Sequence, residues 1–561
     1  MSESVYLHQN TAIINFNEEF YRTSDDLIAS KGFRVFMHHF LDDYKKRKSY
    51  LYDYLTQGLD HDSAIDEIIE AISIIQIRTV KSIKHPLLDD IPSLKRILED
   101  AYVYWRNFQR CSIAYARTDI TSFIDLDSVY NGVVLGLYRT IQEKLSEKKN
   151  KVYRQLKAGT NASVLLKRYP WNTPDIYQGL KSVYTLESVV LHSPLILHPK
   201  TNKREGHFQE TFTNPIAGLT LNSTEFYCYP AKIGSTLAFV YFHRDFMFSG
   251  LSLANLFEMA DKEEIETRKP DILIVFGIDD GSHDMVFYHD HENEMVVAKI
   301  AYQDKIEYFG YMKKIMLTAY NVFVMSNGWL PIHGAMVNVT FRDGKKRGVV
   351  FMGDSGAGKS ETLEEITNIS GDQIQKMEVI FDDMGSFHFD GKQVVAQGTE
   401  IGAFVRLDDL DRALPYKEMD RSIFMNPEST VNARVIVPVT DTETVSSNHP
   451  VDFFLYANNY ESRIGVEVFA KGEGKQVFID GKRMAKGTTH EVGLTTSFFA
   501  NPFGPLQQEE LCRSLIDSVF EALSDTGVIV GQVFTNLGVS DHAADALKQS
   551  AVAVLKLLEE N

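Results

Sequence analysis

The chain of 561 residues has few cysteines, no excess of positive charge and no long apolar run. Its three cysteines, Cys111, Cys228 and Cys512, lie far apart, which excludes a cysteine metal motif and favours buried thiols in a reducing compartment. No apolar run reaches the ~18 residues that a membrane-spanning helix needs. The formal net charge of −18 disfavours non-specific binding to nucleic acid. We therefore expect a cytoplasmic protein that binds neither membranes nor nucleic acid.

The amino terminus and the overall composition also lack unusual features. The first residues, MSESVYLHQN, show no basic-then-apolar pattern, so we expect no signal peptide. With 44% hydrophobic and 24% charged residues, the chain has the composition of an ordinary globular protein. Its length suffices for two or three domains, and it contains no internal repeat.

Residues 1–180 contain long amphipathic patterns, which predict an all-α N-terminal extension. Isoleucines recur on one helical face of 62–83, and similar patterns cover 34–55, 93–115 and 127–159. The aromatic side chains of these segments are expected in the helix core. Such an extension suits regulation, self-association or recruitment of a protein partner, and the sequence leaves these roles open.

Residues 181–305 predict an α/β lobe, because short strand-like runs dominate there. These runs are 188–197, 224–230, 236–243 and 271–277, with a helix-like stretch at 248–260. The histidines and acidic residues at 289–293 suggest either a metal site or a solvated turn. Because they are contiguous and share no face, we favour the turn.

The segment 351–360, FMGDSGAGKS, matches the phosphate-binding loop G-x-x-x-x-G-K-[ST]. An apolar run at 347–352 predicts the preceding strand, and 360–369 predicts the following helix. Glycines allow positive φ and a close backbone approach, so the loop amides and the helix N-terminus can hold phosphate oxygens. Lys359 would contact the β- and γ-phosphates, and the Ser360 hydroxyl a divalent cation. The predicted nucleotide-binding residues here are Gly353, Asp354, Ser355, Gly356, Ala357, Gly358, Lys359, Ser360 and Glu361.

A second motif follows the loop. EVIFDDMGSF, 378–387, predicts an apolar strand that ends in two aspartates. A carboxylate at a strand end beside a phosphate loop can hold Mg²⁺ directly or through water. Asp382 and Asp383 are therefore the candidate metal ligands.

Over roughly 220–555 the chain resembles the ATP-dependent phosphoenolpyruvate carboxykinases. The phosphate loop and the FDDMGS segment correspond to two motifs of that family. YFGYMKK, 308–314, corresponds to the Y-x-x-E-x-K-K motif, and HGAMV, which begins at His333, to the HCSAN motif. TVNARVIVP, 430–438, corresponds to T-x-N-x-R, and 485–504 to the adenine-side segment.

The resemblance implies a role for each matching residue. Lys314 and His333 would ligate a catalytic Mn²⁺ together with Asp383, while Tyr308 would lie beside the substrate. A neutral lysine ligand requires a lowered pKa.

The phosphoryl and nucleotide contacts follow from the same resemblance. Arg434 would bridge the phosphoryl group and the organic substrate, with Arg406 as a second nearby cation. His490 and Thr496 would contact the adenine. The implied cofactors are ATP, Mg²⁺ and Mn²⁺, and the implied substrate is a small carboxylate.

The chain differs from the family in the residues that would bind the carboxylate of the substrate. The family's substrate arginine lies in a GRSP motif, whereas LHSP at 191–194 places His192 there. The family's lysine after the aspartate pair is replaced by Ala403. Arg204 and Arg244 are candidates to supply the missing cation. The loop GDSGAGKSE, with His333 upstream, is also similar to HPr kinase/phosphorylase, which phosphorylates a serine of a small protein.

Three functions follow from these observations. The first is carboxykinase chemistry, in which oxaloacetate and ATP give phosphoenolpyruvate, ADP and CO₂. The second is a kinase on the same scaffold with a protein or another small molecule as acceptor. The third is a non-catalytic nucleotide-binding regulator or scaffold. The expected fold is α/β: a carboxykinase-like core of mixed sheets with helices, comprising a lobe at 181–305 and a phosphate-loop lobe at 306–561, plus the all-α extension.

Overall fold

The computed structural model is a mixed α/β structure that divides into two compact units. It describes residues 5–8, 11–16, 18–47, 50–109, 111–115, 123–146, 161–192, 194–354, 356–369, 373–407, 422–429, 432–486, 492–500, 507–539 and 543–561. The first unit comprises Met1–Arg168 and Tyr184–Leu195, and the second comprises Tyr169–Val183 and Ile196–Asn561. The predicted α/β class is confirmed, while the predicted boundaries near 180 and 305 stay predictions.

The first unit contains both helices and strands, so the prediction of an all-α extension is wrong. Its helices are α1 Ser24–Ile28, α2 Lys31–Lys46, α3 Tyr50–Thr56, α4 His61–Ile77, α5 Ile91–Phe108 and α6 Phe123–Ser146. Its strands are β1 Val5–His8, β2 Thr11–Asn15, β3 Cys111–Tyr115, β4 Ala162–Lys167 and β5 Tyr184–Leu191. They form a sheet in the order β1-β2-β3-β4-β5.

Short apolar runs explain the strands that helical periodicity missed. The predicted helix 93–115 ends at Phe108, and CSIAY then pairs in parallel with β2 and β4. Cys111, Ile113 and Ala114 are buried, as expected for a strand covered on both faces. A run of this kind carries no alternation that would distinguish it from a buried helical turn.

Side-chain caps begin the main helices of this unit. Ser30, Asp60 and Asp90 accept hydrogen bonds from the backbone N–H groups of Phe33, Ser63 and Ser93, respectively. Such caps satisfy N–H groups that the helix itself leaves unpaired. The apolar faces of α2, α4, α5 and α6 pack into one core, in which Trp105 is buried and Tyr104 and Phe108 are partly buried, as expected for aromatic side chains of the predicted helix 93–115.

The second unit is built on several sheets. Its strands, with β6 at the boundary of the units, are β6 Leu195–Leu197, β7 Gln209–Glu210, β8 Phe226–Ile233, β9 Thr236–His243, β10 Ile272–Ile278, β11 Met285–Asp290, β12 Met295–Ala301, β13 Leu330–Phe341, β14 Lys346–Met352, β15 Ile374–Phe381, β16 Met384–Asp390, β17 Gln393–Gly398, β18 Gly402–Arg406, β19 Ile423–Met425, β20 Arg434–Pro438, β21 His449–Pro450, β22 Phe453–Asn458, β23 Val466–Val468, β24 Lys482–Lys486, β25 Val492–Thr496 and β26 Ile529–Phe534. Its helices are α7 Met247–Ser252, α8 Lys262–Thr267, α9 Gly310–Ser326, α10 Lys359–Ile369, α11 Thr442–Ser446, α12 Lys475–Asp480, α13 Glu509–Thr526 and α14 Ala543–Glu560.

One sheet of the second unit holds the phosphate loop. Its order is β21-β17-β16-β13-β14-β22-β26-β23, with β15 also paired to β13. Strands β14, β22 and β26 are parallel, so their carboxyl ends meet at one edge. Ligands of parallel sheets bind at this edge, because the strands end there in loops and helix N-termini. The predicted strand and helix that flank the loop are both confirmed.

Two other elements of the second unit bear on the site. Helix α9 is almost wholly buried and packs on β10 and β12. A smaller sheet has the local order β18-β20-β19. The predicted turn at 289–293 is confirmed in part, because residues 291–294 form a turn between β11 and β12.

Two expectations from composition also agree with the structure. Cys111, Cys228 and Cys512 are buried thiols that form no disulfide. Within the ranges described above, each helix is too short or too polar to cross a lipid bilayer.

Candidate functional site

The phosphate loop has the backbone that its glycines predict. Gly356 and Gly358 have φ of 79° and 102°, where a side chain would strain the backbone. A Cβ on Gly358 would lie 2.8 Å from the side chain of Thr535, and one on Gly353 would lie 2.9 Å from Ala357. The three glycines therefore have different uses: two permit a positive φ, and Gly353 permits a close approach.

Lys359 and Ser360 lie at the start of α10, where the loop meets the helix N-terminus. The buried Lys359 Nζ donates to the carbonyl oxygens of Gly353 and Asp354, at 2.7 and 3.3 Å. The exposed Ser360 Oγ donates to Asp382 Oδ1 at 2.8 Å. A cationic side chain thus lies along the loop, and a hydroxyl and a carboxylate stand together beside it.

The two aspartates of the FDDMGS segment have different surroundings. Burial raises the pKa of Asp382 to about 6, despite its hydrogen bond from Ser360. Burial alone would also raise the pKa of Asp383, but Lys313 and His333 hold it well below its usual range. Asp383 is therefore the permanent anion of the pair, and it lies between two cation-forming side chains.

A buried ion cluster surrounds Asp383. Lys313 Nζ lies 2.6 Å from Asp383 Oδ2 and 3.1 Å from Glu400 Oε1. Burial raises the pKa of Glu400 to about 7, with Lys313 opposing the change. Sequence reasoning missed Lys313 and Glu400, although Lys313 is the other half of the lysine pair near the start of α9 and Glu400 follows β17.

Lys314 is the predicted metal ligand, and its environment favours the uncharged amine. Burial lowers its pKa to about 7 even though Asp383 opposes the change. The cationic Lys313, Arg204 and Arg434 lower it further. A neutral lysine carries the free electron pair that a metal ligand needs.

His333, on β13, presents a nitrogen to Asp383. Its Nδ1 lies 2.5 Å from the carbonyl oxygen of Ala500, which can only accept a hydrogen bond. Nδ1 therefore carries the proton, and in the neutral ring Nε2 has a lone pair. That atom lies 3.3 Å from Asp383 Oδ1. A protonated Nε2 forms an ion pair with Asp383, whereas in the neutral ring Nε2 and Asp383 together can hold a cation.

This donor set fits a divalent cation. Two ligands at right angles around a cation at about 2.1 Å stand about 3 Å apart, close to the His333–Asp383 separation. Lys314, which interacts electrostatically with Asp383, would be a third donor, and Ser360 with Asp382 would form a second pair beside the loop. No cluster of three or more histidine, cysteine, aspartate or glutamate ligands occurs in the described part of the chain. A cation here therefore depends on the lysine and serine donors as well.

The predicted arginines lie on neighbouring strands of the small sheet. Arg434 on β20 stands opposite Arg406 on β18 in the strand register. Arg434 Nε donates to Asn432 Oδ1 at 2.8 Å, and the guanidinium lies over the ring of Phe404 at 5.3 Å. Tyr308, which is buried, accepts a 3.4 Å hydrogen bond from Asn432 Nδ2. Asn432 thus links the predicted tyrosine to the predicted arginine.

Arg204 comes from a distant part of the sequence but lies in the same region as Tyr308 and Lys314. Burial lowers the pKa of its guanidinium, while the phenols of Tyr311 and Tyr308 oppose the change. The backbone N–H of the next residue, Glu205, donates to the Tyr311 hydroxyl at 2.9 Å. The positive charge of Arg204 also lowers the pKa of Lys314, so Arg204 is one of the cations of this site.

The other two carboxylate-side candidates have partners elsewhere. His192 lies in the first unit, where its Nε2 is 2.9 Å from Asp127 Oδ2. Arg244 lies at the end of β9 and pairs with Glu225 at 3.9 Å.

The structure describes only some of the residues predicted to bind the nucleotide. His490 and the loop residue Ser355 lie outside the described residues. Thr496 is exposed on β25 and pairs in register with Lys482 on β24. The next residue of β24, Arg483, forms a 2.8 Å ion pair with Asp354 of the loop.

Other contacts attach the hairpin β24-β25 to the phosphate loop. Asn459 donates to the carbonyl oxygens of Gly356 and Met484, at 3.1 and 3.0 Å. Arg483 and Asn459 are loop-positioning residues that the sequence did not reveal. Glu361, in the first turn of α10, raises the pKa of Asp382 and does not contact the loop in any hydrogen bond between described residues.

The structure therefore gathers Lys314, His333, Asp382, Asp383 and Ser360 around the phosphate loop. Arg204, Arg434 and Tyr308 lie on the Lys314 side of this group. Comparison with known proteins gives no further assignment, because no protein-family model and no curated protein matches the chain.

Proposed function

We propose that this chain is an ATP- and divalent-cation-dependent phosphotransferase of the phosphoenolpyruvate carboxykinase type. It would convert oxaloacetate and ATP to phosphoenolpyruvate, ADP and CO₂. The observation that carries the proposal is the placement of His333 Nε2 3.3 Å from Asp383 Oδ1, with the partly neutral Lys314 beside them. A phosphate loop alone would serve any nucleotide-binding protein.

The nucleotide side is supported by the loop and its partners. Lys359 would exchange the carbonyl oxygens of Gly353 and Asp354 for the β- and γ-phosphate oxygens of ATP. Phosphate oxygens carry full charge, so the charge-assisted hydrogen bonds are the stronger ones. Ser360 and Asp382 would hold the Mg²⁺ that accompanies the nucleotide.

A second cation, Mn²⁺ or Mg²⁺, fits His333, Asp383 and Lys314. When bound, it supplies positive charge at the oxygen that accepts the phosphoryl group. Lys313 and Glu400 would hold Asp383 in place, because Lys313 contacts both carboxylates.

The acceptor side is supported by a group of cations. Arg204 and Arg434 both act electrostatically on Lys314, and Arg204 also interacts with the buried Tyr308. Such a group favours a small anion with two negative charges over the neutral hydroxyl of a protein serine. In oxaloacetate one carboxylate leaves as CO₂, and the electron pair of the broken bond forms an enolate. The enolate oxygen then attacks the γ-phosphorus, and ADP leaves.

The proposal is tested by a coupled assay of the purified chain with oxaloacetate, ATP, Mg²⁺ and Mn²⁺. We expect phosphoenolpyruvate to form, with Mn²⁺ required and His333→Ala reducing the rate at least a hundredfold. His198→Ala is the control, because His198 is an exposed histidine paired only with Glu428 among described ion pairs. An absence of product from a chain that still binds ATP tightly would overturn the proposal. The search would then turn to other acceptors.

A further inference from the structure

Arg204 belongs to a segment, residues 199–206, that forms neither helix nor strand. No helix or sheet ladder fixes the course of this segment, so side chains from other parts of the second unit hold it instead. Asn426 Nδ2 donates to Asn202 Oδ1, and Asn432 Nδ2 donates to the carbonyl oxygen of Asn202. These contacts anchor the segment on the side that precedes Arg204.

The contact that follows Arg204 comes from helix α9. The backbone N–H of Glu205 donates to the Tyr311 hydroxyl at 2.9 Å. Tyr311 is only 1% exposed, so the close packing of the core fixes its ring. Tyr311 lies three residues before Lys314 on α9, and residues at this spacing share a helix face. One hydrogen bond thus fixes the backbone beside Arg204 relative to Lys314.

The electrostatic interactions of the Arg204 side chain agree with this placement. Burial lowers the pKa of the Arg204 guanidinium, and the phenol of Tyr311 opposes that change. The positive charge of Arg204 in turn lowers the pKa of Lys314. Arg204 is therefore close to both Tyr311 and Lys314, as expected if the hydrogen bond at Glu205 directs the segment towards this face of α9.

We propose that Tyr311 is a positioning residue of the acceptor site. Its hydroxyl holds the backbone at Glu205, so that the Arg204 guanidinium faces a small anionic acceptor beside Lys314. A merely structural role would need only the aromatic ring of Tyr311, whereas this role needs the hydroxyl. The inference rests on the function proposed above in one respect, which is that the acceptor is an anion.

Tyr311→Phe tests this role in the full chain, because it keeps the ring and removes only the hydroxyl. We expect KM for oxaloacetate to rise about three- to tenfold, the effect of one hydrogen bond, with kcat and KM for ATP unchanged. Tyr229→Phe is the control, because Tyr229 is also buried and its hydroxyl donates to the carbonyl oxygen of Phe257. In the background of Arg204→Met, Tyr311→Phe should raise KM no further, since Tyr311 acts through Arg204. The same rise in KM with and without Arg204, or a loss of kcat and of ATP binding, would overturn the inference.

Calorimetric titration with malonate separates this inference from the proposed function. Malonate is a small dicarboxylate that carboxykinase chemistry does not consume. The wild-type chain should bind malonate about three- to tenfold more tightly than Tyr311→Phe, while Arg204→Met and Arg204→Met/Tyr311→Phe should bind it equally weakly. If the wild type forms no phosphoenolpyruvate but shows these malonate affinities, the proposed function fails and the positioning role of Tyr311 stands. Equal affinity of the wild type and Tyr311→Phe, or no malonate binding to the wild type, would overturn the inference even where phosphoenolpyruvate forms.

Discussion

Lys313 Nζ lies 2.6 Å from Asp383 Oδ2 and 3.1 Å from Glu400 Oε1. Lys313 is almost completely buried, so its ammonium group neutralises negative charge that water cannot reach. The next residue, Lys314, has its pKa lowered to about 7 by burial and by neighbouring cations. Lys313 thus carries a positive charge, whereas the adjacent Lys314 is partly uncharged at neutral pH.

This difference predicts losses of stability of different size for the two lysines. Lys313→Met would leave Asp383 and Glu400 without their buried counter-ion and should destabilise the second unit by about 3–5 kcal/mol. Lys314→Met at pH 8.5 replaces a largely uncharged side chain with one of similar size and should cost less than about 1.5 kcal/mol. Denaturant titration of both variants measures the two effects.

A third variant checks the cause of the Lys313 effect. Glu400→Gln removes one of the two carboxylates, so Lys313→Met/Glu400→Gln should be more stable than Lys313→Met alone. Equal losses from Lys313→Met and Lys314→Met would contradict the assignment of charge to one lysine only.

Nucleotide binding should depend on Lys359. Its ammonium lies along the loop carbonyl oxygens, and the loss of charge-assisted hydrogen bonds to phosphate should weaken ATP binding by about ten- to a hundredfold in Lys359→Ala. Lys376→Ala is the control, since Lys376 is an exposed lysine on β15. Calorimetric titration with ATP and Mg²⁺ measures both, and an unchanged affinity of Lys359→Ala would exclude the loop as the phosphate site.

Recognition of the acceptor should depend on Arg204. Arg204→Met removes a cation from the group around Lys314 and should raise KM for oxaloacetate about tenfold or more, while ATP affinity stays the same. Lys203→Met is the neighbouring control, because Lys203 forms an exposed ion pair with Glu205. A rise in KM for ATP instead would place Arg204 on the nucleotide side.

Acid stability should depend on a second ion cluster, away from the loop. Burial alone would raise the pKa of Asp280, but hydrogen bonds from Lys299 and Ser282 lower it to about 2. A carboxyl group whose folded pKa lies below its unfolded value stabilises the fold above about pH 4, and this stabilisation is lost as the pH falls towards 2.

Asp280→Asn should therefore lower the thermal midpoint at pH 7 and have no effect near pH 2. The change at pH 7 corresponds to about 1 kcal/mol or less, because the Asp280 side chain is 37% exposed and solvent screens the pair. Asp279→Asn, at the exposed neighbouring position, is the control. A loss that is the same at pH 7 and pH 2 would show that the charge of Asp280 is not its cause.

The parts of the structure that the sequence predicted are those set by local patterns. The phosphate loop is defined within ten residues by its glycines, Lys359 and Ser360, and its flanking strand and helix follow from short apolar periods. The pairing of β3 with β2 and β4 depends on distant segments, so helical periodicity misassigned it.

The site residues that the sequence did not reveal were missed for the same reason, which is their dependence on contacts between distant segments. Glu400 and Arg483 come from distant parts of the sequence, and only the fold brings Glu400 to the lysine pair and Arg483 to the phosphate loop. A lone glutamate after a strand, or a lone arginine in a short strand, has no pattern of its own. Tyr308, Lys314 and Arg434 were predicted because the resemblance assigned them, not because their surroundings could be derived.

The most direct test of the proposed function is a ³¹P NMR time course of the chain with ATP, Mg²⁺, Mn²⁺ and oxaloacetate. We predict that the γ-phosphate signal of ATP declines while signals of ADP and phosphoenolpyruvate rise together. Unchanged ATP, or the appearance of inorganic phosphate alone, would contradict transfer to oxaloacetate.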